Sequence, residues 1–441
     1  MLRILTDINF VIFVLMSAAY FYHFVYMAVG FAGRHKVDTT PASRKHRFAA
    51  LICARNETAV IGELVESLKN QNYPSELLDI YVLADNCTDD TASAAERAGA
   101  RVFIRYNSEK VGKGYALDYL LKKIKAECGY RAYDGYFVFD ADNIVDRNFV
   151  SEMNRTYSKG YDVITCYRNS KNFASNWITY GYSLWFLYEA RYINAARMAL
   201  NNGCAVSGTG FMVSSRIIEE NNGWPFHLLT EDIQFSVNCA VNGCKIGYCN
   251  GAIVYDEQPQ TFSQSWAQRM RWAKGFYQID TRYLGKLVRG MFINRGVRMT
   301  CYDIFMTVAP LMLFSVMIMG VNFLVLGACL LTPAMSAAYS MAAITARLIA
   351  ADTISFIITS LLFGYVGVVL MGLMTVISEW NRIPAEGIHK IALLPTFPVF
   401  LATYVPIAII ALFVKVDWKP IRHFSSSEIR ERDALPVGRR S

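Results

Sequence analysis

Hydrophobicity is spread so unevenly along this chain that the pattern itself limits what it can fold into. Residues 8–33 contain no Asp, Glu, Lys or Arg, and an apolar run of that length reaches across a bilayer. Residues 302–331, about 352–378 and 391–414 are further runs of spanning length. Between them, residues 34–300 hold most of the charge and alternate short apolar segments with polar ones. The chain therefore reads as an integral membrane protein carrying one large soluble α/β domain. A cleaved signal peptide is the weaker reading of the N-terminus, because the run is too long and no small-residue cleavage site follows it. The expected division is an N-terminal transmembrane helix (1–33), a soluble domain (34–260), interfacial amphipathic helices (261–300), a region of about three spans (301–415) and a polar tail (416–441).

Basic residues near the span ends set the expected orientation. Arg34, His35, Lys36, Arg44, Lys45, His46 and Arg47 follow the first span, and Lys286, Arg289, Arg295 and Arg298 precede the second. Both flanks place the domain in the cytoplasm of a multi-pass plasma-membrane protein, with the N-terminus outside. Four crossings would then leave the tail outside, yet it carries Lys419, Arg422, Arg430, Arg432, Arg439 and Arg440. Either one apolar run is interfacial, or the tail tolerates translocation. The same membrane-flanking residues account for the net charge of +8. There is no basic stripe interleaved with aromatics, so a nucleic-acid partner is not expected. The ten cysteines lack CxxC or Cys/His spacing and read as reduced packing residues.

Within the domain, Asp134–Asn143 (DGYFVFDADN) draws attention first. Tyr136, Phe137, Val138 and Phe139 form the short continuous apolar run of a strand buried on both faces. It ends in Asp140-Ala141-Asp142, two carboxylates at i and i+2 that can reach one divalent cation. Carboxylate oxygens suit Mg²⁺ or Mn²⁺ bridging a diphosphate, and ligands in open α/β sheets bind where strands end. The competing reading is that the pair caps the next helix. Other strands are expected at Arg47–Ala54, Asp79–Ala84, Arg101–Tyr106 and Tyr161–Tyr167, with helices at Val60–Asn70, Thr91–Ala98 and from about Lys110 to Glu127. Alternation at this spacing means a mainly parallel sheet with helices on both faces.

Several further stretches are ambiguous alone. Lys110-Val111-Gly112-Lys113-Gly114 matches neither GxGxxG nor GxxxxGK[ST], so Lys113 either approaches a phosphate or caps a helix. Asn176–Leu200, with Trp177, Tyr180, Tyr182, Trp185, Tyr188 and Tyr192, is either a packed helix or an aromatic platform for sugar rings or the membrane interface. Ser207-Gly208-Thr209-Gly210-Phe211 lets a ligand approach the backbone. Leu229-Thr230-Glu231-Asp232 offers a general base or an acidic helix start. Gln268, Arg271 and Trp272 share one helical face at i, i+3 and i+4. Amide, guanidinium and indole suit hydroxyl, phosphate and sugar ring, while a snorkelling interfacial helix is the alternative.

Together these pieces resemble the membrane-embedded family 2 glycosyltransferases, the group of cellulose, chitin, hyaluronan and Nod-factor chitooligosaccharide synthases. The likeness covers about Phe48 to Met291 and rests on Asp85 in ADNCTDDTA, Asp140-Ala141-Asp142, Thr230-Glu231-Asp232 and Gln268-Arg269-Met270-Arg271-Trp272. It implies a GT-A-type nucleotide-diphospho-sugar transferase domain. By that resemblance Arg55, Glu57 and Asp85 would hold the uridine of a UDP-sugar, with Lys113 near the nucleotide. Asp142, with Asp140, would coordinate Mg²⁺ or Mn²⁺. Asp232 would be the base and Glu231 its acceptor-side neighbour. Gln268, Arg271 and Trp272 would bind the diphosphate and the acceptor-side sugar, and Gly208, Thr209 and Gly210 would shape the acceptor site.

The expected activity is inverting transfer from UDP-glucose or UDP-N-acetylglucosamine, extending a β-linked polysaccharide processively and exporting it through the chain's own spans. The expected partners are donor, glycan or lipid acceptor and membrane lipids, with an accessory export protein left open. The alternative is a single transfer to a membrane lipid. A transporter with a nucleotide-binding domain is a third class, disfavoured by few spans and few buried ionisable groups.

Overall fold

Alternation inside the 136–139 run decides how the domain is layered. Tyr136 and Val138 enter one core, while Phe137 and Phe139 enter a second core on the opposite side. Each strand residue points to one face or the other in turn, so a strand covered on both faces reads as one unbroken apolar run. Neighbouring strands follow the rule: Ala49 and Leu51 join the first core, and Phe48, Ala50 and Ile52 the second.

The computed structural model describes residues 2–33, 40–293, 296–309, 311–335, 340–416 and 423–429. Its strands are β1 (Phe48–Ala54), β2 (Leu78–Asp85), β3 (Arg101–Arg105), β4 (Gly135–Asp140), β5 (Ile144–Val145), β6 (Val163–Ser170), β7 (Phe211–Ser214) and β8 (Ile246–Asp256). They form one eight-stranded sheet of order β3-β2-β1-β4-β7-β6-β8-β5. The pairs β1–β2, β2–β3, β1–β4 and β6–β8 are parallel, and β4–β7, β6–β7 and β5–β8 are antiparallel. The sheet is thus mainly parallel, as the alternation of elements implies. The antiparallel β7 carries no periodic signature of its own, being four fully buried residues.

The helices of the N-terminal half are α1 (Leu2–Ala32), α2 (Ile61–Lys69), α3 (Thr91–Ala98), α4 (Lys113–Cys128), α5 (Phe149–Tyr157) and α6 (Trp177–Tyr188). Then come α7 (Ala195–Ala199), α8 (Ser215–Glu220), α9 (Glu231–Val241), α10 (Phe262–Ile293) and α11 (Arg298–Val308). The last four are α12 (Met312–Met335), α13 (Met341–Ser378), α14 (Phe397–Ala402) and α15 (Tyr404–Phe413). The Asn176–Leu200 stretch is not one helix, because a π-helical turn over Glu189–Asn194 separates α6 from α7. Nor is it an open aromatic platform: Tyr180, Tyr182 and Tyr192 are buried, their hydroxyls bonded to the Lys390 carbonyl, the Ser265 carbonyl and Ser378.

Four segments have the length and composition to cross a membrane: Ile4–Ala32, Leu313–Leu331, Met341–Ser378 and Gly387–Phe413. The first three turn nearly all of their apolar windows outward, with 6–11% buried, whereas the fourth is 33% buried. That fourth segment is broken into 3₁₀ turns, α14 and α15. Leu394, Phe397 and Phe400 join the core that also holds Tyr182 and Leu184 of α6. The long helices are tied to the domain at one end: Arg191 donates to the Gly33 carbonyl at 2.6 Å, and Tyr167 donates to Glu379 at 2.6 Å. Arg197 holds Asp303 through two bonds of 2.6 and 2.8 Å, and Tyr26 of α1 donates to the same carboxylate. Arg34, His35, Lys36, Arg295, Lys419, Arg422, Arg430, Arg432, Arg439 and Arg440 lie outside the described residues.

Candidate active site

The chain runs β1, β2, β3 outward and then returns to place β4 on the other side of β1. The crevice past the carboxyl ends of β1 and β4 is therefore the topological switch point, where open α/β sheets bind ligands. Register carries the candidate residues there: Cys53 pairs with Asp140, and Ala54, just before Arg55, pairs with Ala84, just before Asp85.

Asp140-Ala141-Asp142 does not cap a helix. The pair is followed by β5, and α5 starts only at Phe149 behind Asn148. Instead the turn is braced from beneath. The Asp140 amide donates to Thr209 Oγ1 at 2.9 Å, and Thr209 Oγ1 donates to Asn143 Oδ1. The Thr209 side chain is thus buried under the Asp140–Asn143 turn and is spent on it. Gly210 makes the tight passage possible: its φ is +67°, and a Cβ there would lie 2.4 Å from Cys166 Sγ. Asp142 is buried and accepts from the Glu257 amide at 3.1 Å. Burial acts to raise its pKa, but His423 and Lys171 outweigh that and hold the carboxyl below its usual value.

At the end of β2, Asp85 is buried in a 2.5 Å ion pair with Arg105. Its pKa is raised by burial, with Arg105 and Arg55 opposing. Glu57 sits in the loop after β1, its amide donating to Thr91 Oγ1 at 2.8 Å and its carboxylate within 3.0 Å of His423 Nδ1. Burial raises the Glu57 pKa and His423 opposes that. Lys113 opens α4, and its ammonium reaches across to Asp140 Oδ1 at 2.5 Å and to the Gly208 carbonyl at 2.7 Å. It is a bridge between the two sides of the crevice, rather than a helix cap. Burial alone would lower its pKa, yet Asp140 and Glu231 together raise it.

Glu231 and Asp232 form the first turn of α9. A Cβ on Gly208 would lie 3.7 Å from Asp232 Oδ2, so this carboxylate borders the Gly208 loop. Burial and the adjacent Asp232 charge push Glu231 up to about 7, against Lys113 and Arg271. The Asp232 pKa is also raised by burial, with Lys113 and Arg271 opposing. Arg271 therefore lies near both carboxylates. Gln268, Arg271 and Trp272 are half-buried on the α10 face toward the domain, with Trp272 edge-on to Tyr182 at 5.7 Å. The intervening Arg269 is buried, donating to the Phe400 carbonyl and to Thr403 at 3.0 and 2.8 Å.

The structure thus brings Asp140, Asp142, Lys113, Gly208, Glu231, Asp232 and Arg271 around one crevice, with Asp85 and Arg55 as a connected group at its β2 edge. A divalent cation suits this donor set. Asp142 is a buried carboxylate beside the half-buried Asp140, and Mg²⁺ is commonly held by one or two carboxylates plus substrate phosphates. Among the described residues no group of three or more His, Cys, Asp or Glu side chains converges on a metal position, so a cation held here would draw its remaining ligands from substrate and water.

Four participants carry no motif in the sequence reading. Asp256 and Glu257 end β8, and β6–β8 pairing sets Ser170 opposite Asp256. Arg168 donates to Asp256 Oδ2 and, at 3.0 Å, to the Ser207 carbonyl, joining the metal side to the Gly208 loop. Burial pushes Asp256 to about 6 and Glu257 to about 7. A signal was present: GAIVYDE repeats the pattern of an apolar strand ending in carboxylates. The fourth participant, His423, comes from the tail. Burial works against its charge, but Asp142, Glu57 and Glu257 raise its pKa to about 10.

A model of the family described as glycosyltransferase like family 2 matches residues 46–275, more than half of the chain. A β-monoglucosyldiacylglycerol synthase of Synechocystis is 26% identical over 240 residues, covering 53% of this chain and 48% of that protein. A probable glycosyltransferase, YdaM of Bacillus subtilis, is 24% identical, covering 55% and 58%. A poly-β-1,6-N-acetyl-D-glucosamine synthase of Staphylococcus aureus is 23% identical, covering 53% and 55%. The chain thus spans about half the length of the curated relatives it matches. Among solved structures, a mannosyltransferase of Pyrobaculum calidifontis in complex with GDP-Man and Mn²⁺ aligns over 87% of this chain and 99% of that one, with 14% identity and a TM-score of 0.46.

Proposed function

This chain belongs to glycosyltransferase family 2, and from that footing we propose that it transfers a hexosyl group from a UDP-sugar, with inversion, to an acceptor hydroxyl at the cytoplasmic face of the cell membrane. The observation that carries the reading is the meeting of Asp140 and Asp142 with Lys113, Asp232 and Arg271 at one switch-point crevice. Arg55, Glu57 and Asp85 take the uridine. Lys113, already bonded to Asp140, swings its ammonium toward the diphosphate, and Arg271 supports it from α10. When bound at Asp142 and Asp140, Mg²⁺ or Mn²⁺ supplies charge neutralisation on the departing diphosphate.

Asp232 accepts the acceptor's proton as its oxygen bonds to the anomeric carbon from the face opposite UDP. The anomeric C–O bond to the β-phosphate breaks, and UDP leaves with the electron pair. One displacement inverts the centre and needs no protein nucleophile. Of the two α9 carboxylates, Asp232 borders the Gly208 loop and is the one we assign as base, while burial and the neighbouring Asp232 raise Glu231 to about 7. Two adjacent carboxylates in one buried site do not both ionise freely.

The first reading of the product is a β-linked polysaccharide extended processively. It is supported by Trp272, half-buried beside Arg271 on the site-facing side of α10, where an indole can stack on a sugar already transferred. A second reading, single transfer to a lipid headgroup, is supported by the outward-facing sides of α1, α12 and α13 and by the β-monoglucosyldiacylglycerol synthases among the relatives.

The test is UDP release by purified protein in nanodiscs with UDP-glucose, UDP-N-acetylglucosamine, UDP-glucuronate and UDP-galactose, with Mg²⁺ or Mn²⁺ and with chelator. Products are then sized and digested with linkage-specific glycosidases. A long product made without added lipid supports the synthase. Turnover only with added lipid, giving a short product, selects the second reading. Failure to bind UDP would remove both.

A further inference from the structure

Residues 423–429 lie against the candidate crevice. His423 Nδ1 lies 3.0 Å from both carboxylate oxygens of Glu57, and the Phe424 amide donates to Glu257 Oε2 at 2.8 Å. The Ser426 amide and hydroxyl donate to the two oxygens of Glu63 at 2.8 and 2.7 Å. Three carboxylates, in the loop after β1, in α2 and just past β8, are engaged by three residues of one strap, His423, Phe424 and Ser426. None of these contacts belongs to the α/β fold itself, since each joins residues more than 160 positions apart in the chain.

The position of the strap is specific. Glu57 belongs to the loop that places Arg55 beside Asp85. Glu257 donates its amide to Asp142 while its side chain accepts from the tail. The strap thus covers the Glu57 side and the Asp142 side together, and among the described residues its bonds to the domain do not extend to Gly208 or Asp232.

We propose that residues 423–429 are an internal occupant of the donor crevice, which a metal-bound nucleoside diphosphate must displace before transfer can begin. The proposal rests on the donor-site reading given above. A nucleoside held at Glu57 and a cation held at Asp142 would both enter ground where the His423 ring now lies. A protein whose binding-competent state is only partly populated binds its ligand more weakly by that fraction. The strap therefore sets a threshold for donor and metal without altering the chemistry on the acceptor side. The same displacement exposes Glu57, Glu63 and Glu257 together, so loading of the donor and release of the tail are one event.

Hydrogen exchange of the full-length protein in detergent, with and without UDP and Mn²⁺, reads the event directly. The peptide covering residues 423–429 is expected to exchange faster once UDP and Mn²⁺ are added. Independently, His423→Ala and Ser426→Ala should each tighten UDP binding in Mn²⁺, by about tenfold together, because the open state becomes the resting state. Slower exchange on adding UDP, or weaker UDP binding by His423→Ala, would make the tail a wall of the donor site and overturn the proposal. Unchanged exchange and unchanged affinity would overturn it equally. If neither the native protein nor the variants bind UDP, the donor-site reading itself falls, and the proposal with it.

Discussion

Asp232 and Glu231 are adjacent in sequence, yet their surroundings divide their roles. Asp232 borders the Gly208 loop, while Glu231 is pushed to about 7 by burial and by Asp232 itself. On the proposed reading the base is chosen by position: Asp232 Oδ2 borders the Gly208 loop, where an acceptor hydroxyl would arrive. Asp232→Asn should lower the transfer rate by about 10²–10⁴-fold, the worth of a positioned base, while UDP affinity stays close to that of the native protein. Glu231→Gln keeps the base and should cost far less. Single-turnover transfer and UDP titration of both variants check this; equal loss of transfer and UDP binding in Asp232→Asn would make that residue structural. At this scale the sequence was informative where a short pattern fixes local structure, as at Asp140-Ala141-Asp142, which ends a buried strand. It was silent at Thr209, because nothing in SGTGF tells a hydroxyl that faces an acceptor from one that braces a turn. GAIVYDE signals a strand ending in carboxylates, but the meeting of Arg168 with Asp256 depends on β6–β8 register, which local spacing does not specify.

Among the elements, α10 does the most to join the membrane segments to the chemistry. One side presents Gln268, Arg271 and Trp272 to the domain, and the other is held by α14 and α15 through Arg269, Lys274 and Tyr277. Its distance from α9 is set at Gly275, where a Cβ would lie 2.4 Å from Thr230 Oγ1 and 2.6 Å from Thr230 Cγ2. Thr230 is buried and β-branched, with little room to turn away. Gly275→Ala should therefore push α10 away from the Thr230-Glu231-Asp232 corner, cutting transfer at least tenfold, with a stability loss of about 1–3 kcal/mol, the usual cost of overpacking. Measuring kcat beside the thermal unfolding midpoint tests this, and unchanged kcat would mean that the α9–α10 spacing is not limiting. The shared face of Gln268, Arg271 and Trp272 was legible from the i, i+3, i+4 spacing. The break between α6 and α7 was not, because that stretch is buried nearly all round and offers no amphipathic phase to lose.

For the molecule as a whole, the open matter is on which side of the membrane the chain ends. The ties at Gly33, Asp303 and Glu379 bring the domain ends of α1, α11 and α13 to the same body, and Thr6 of α1 meets Asp352 at the far end of the bundle. One crossing by α1 and a return hairpin of α12 and α13 satisfy those ties. The remaining apolar run then need not cross at all. It is broken, its α14 packs into the domain core, and α15 lies along α10 with Lys274 and Tyr277 bonded to the Ala411 and Ala408 carbonyls. Residues 423–429, a few positions beyond, touch Glu57 and Glu63 of the domain. With three crossings the basic tail would lie on the same side as the basic flanks of the domain, which would remove the charge conflict visible in the sequence. Hydropathy does not decide between these arrangements, since an interfacial run buried against protein is as apolar as one buried in lipid. A small tag after Ser441 should therefore be reached by antibody or protease only after the cell membrane is opened, and a tag before Met1 should be reached in intact cells. A tail tag accessible from outside would require the fourth crossing and would separate residues 423–429 from the donor crevice.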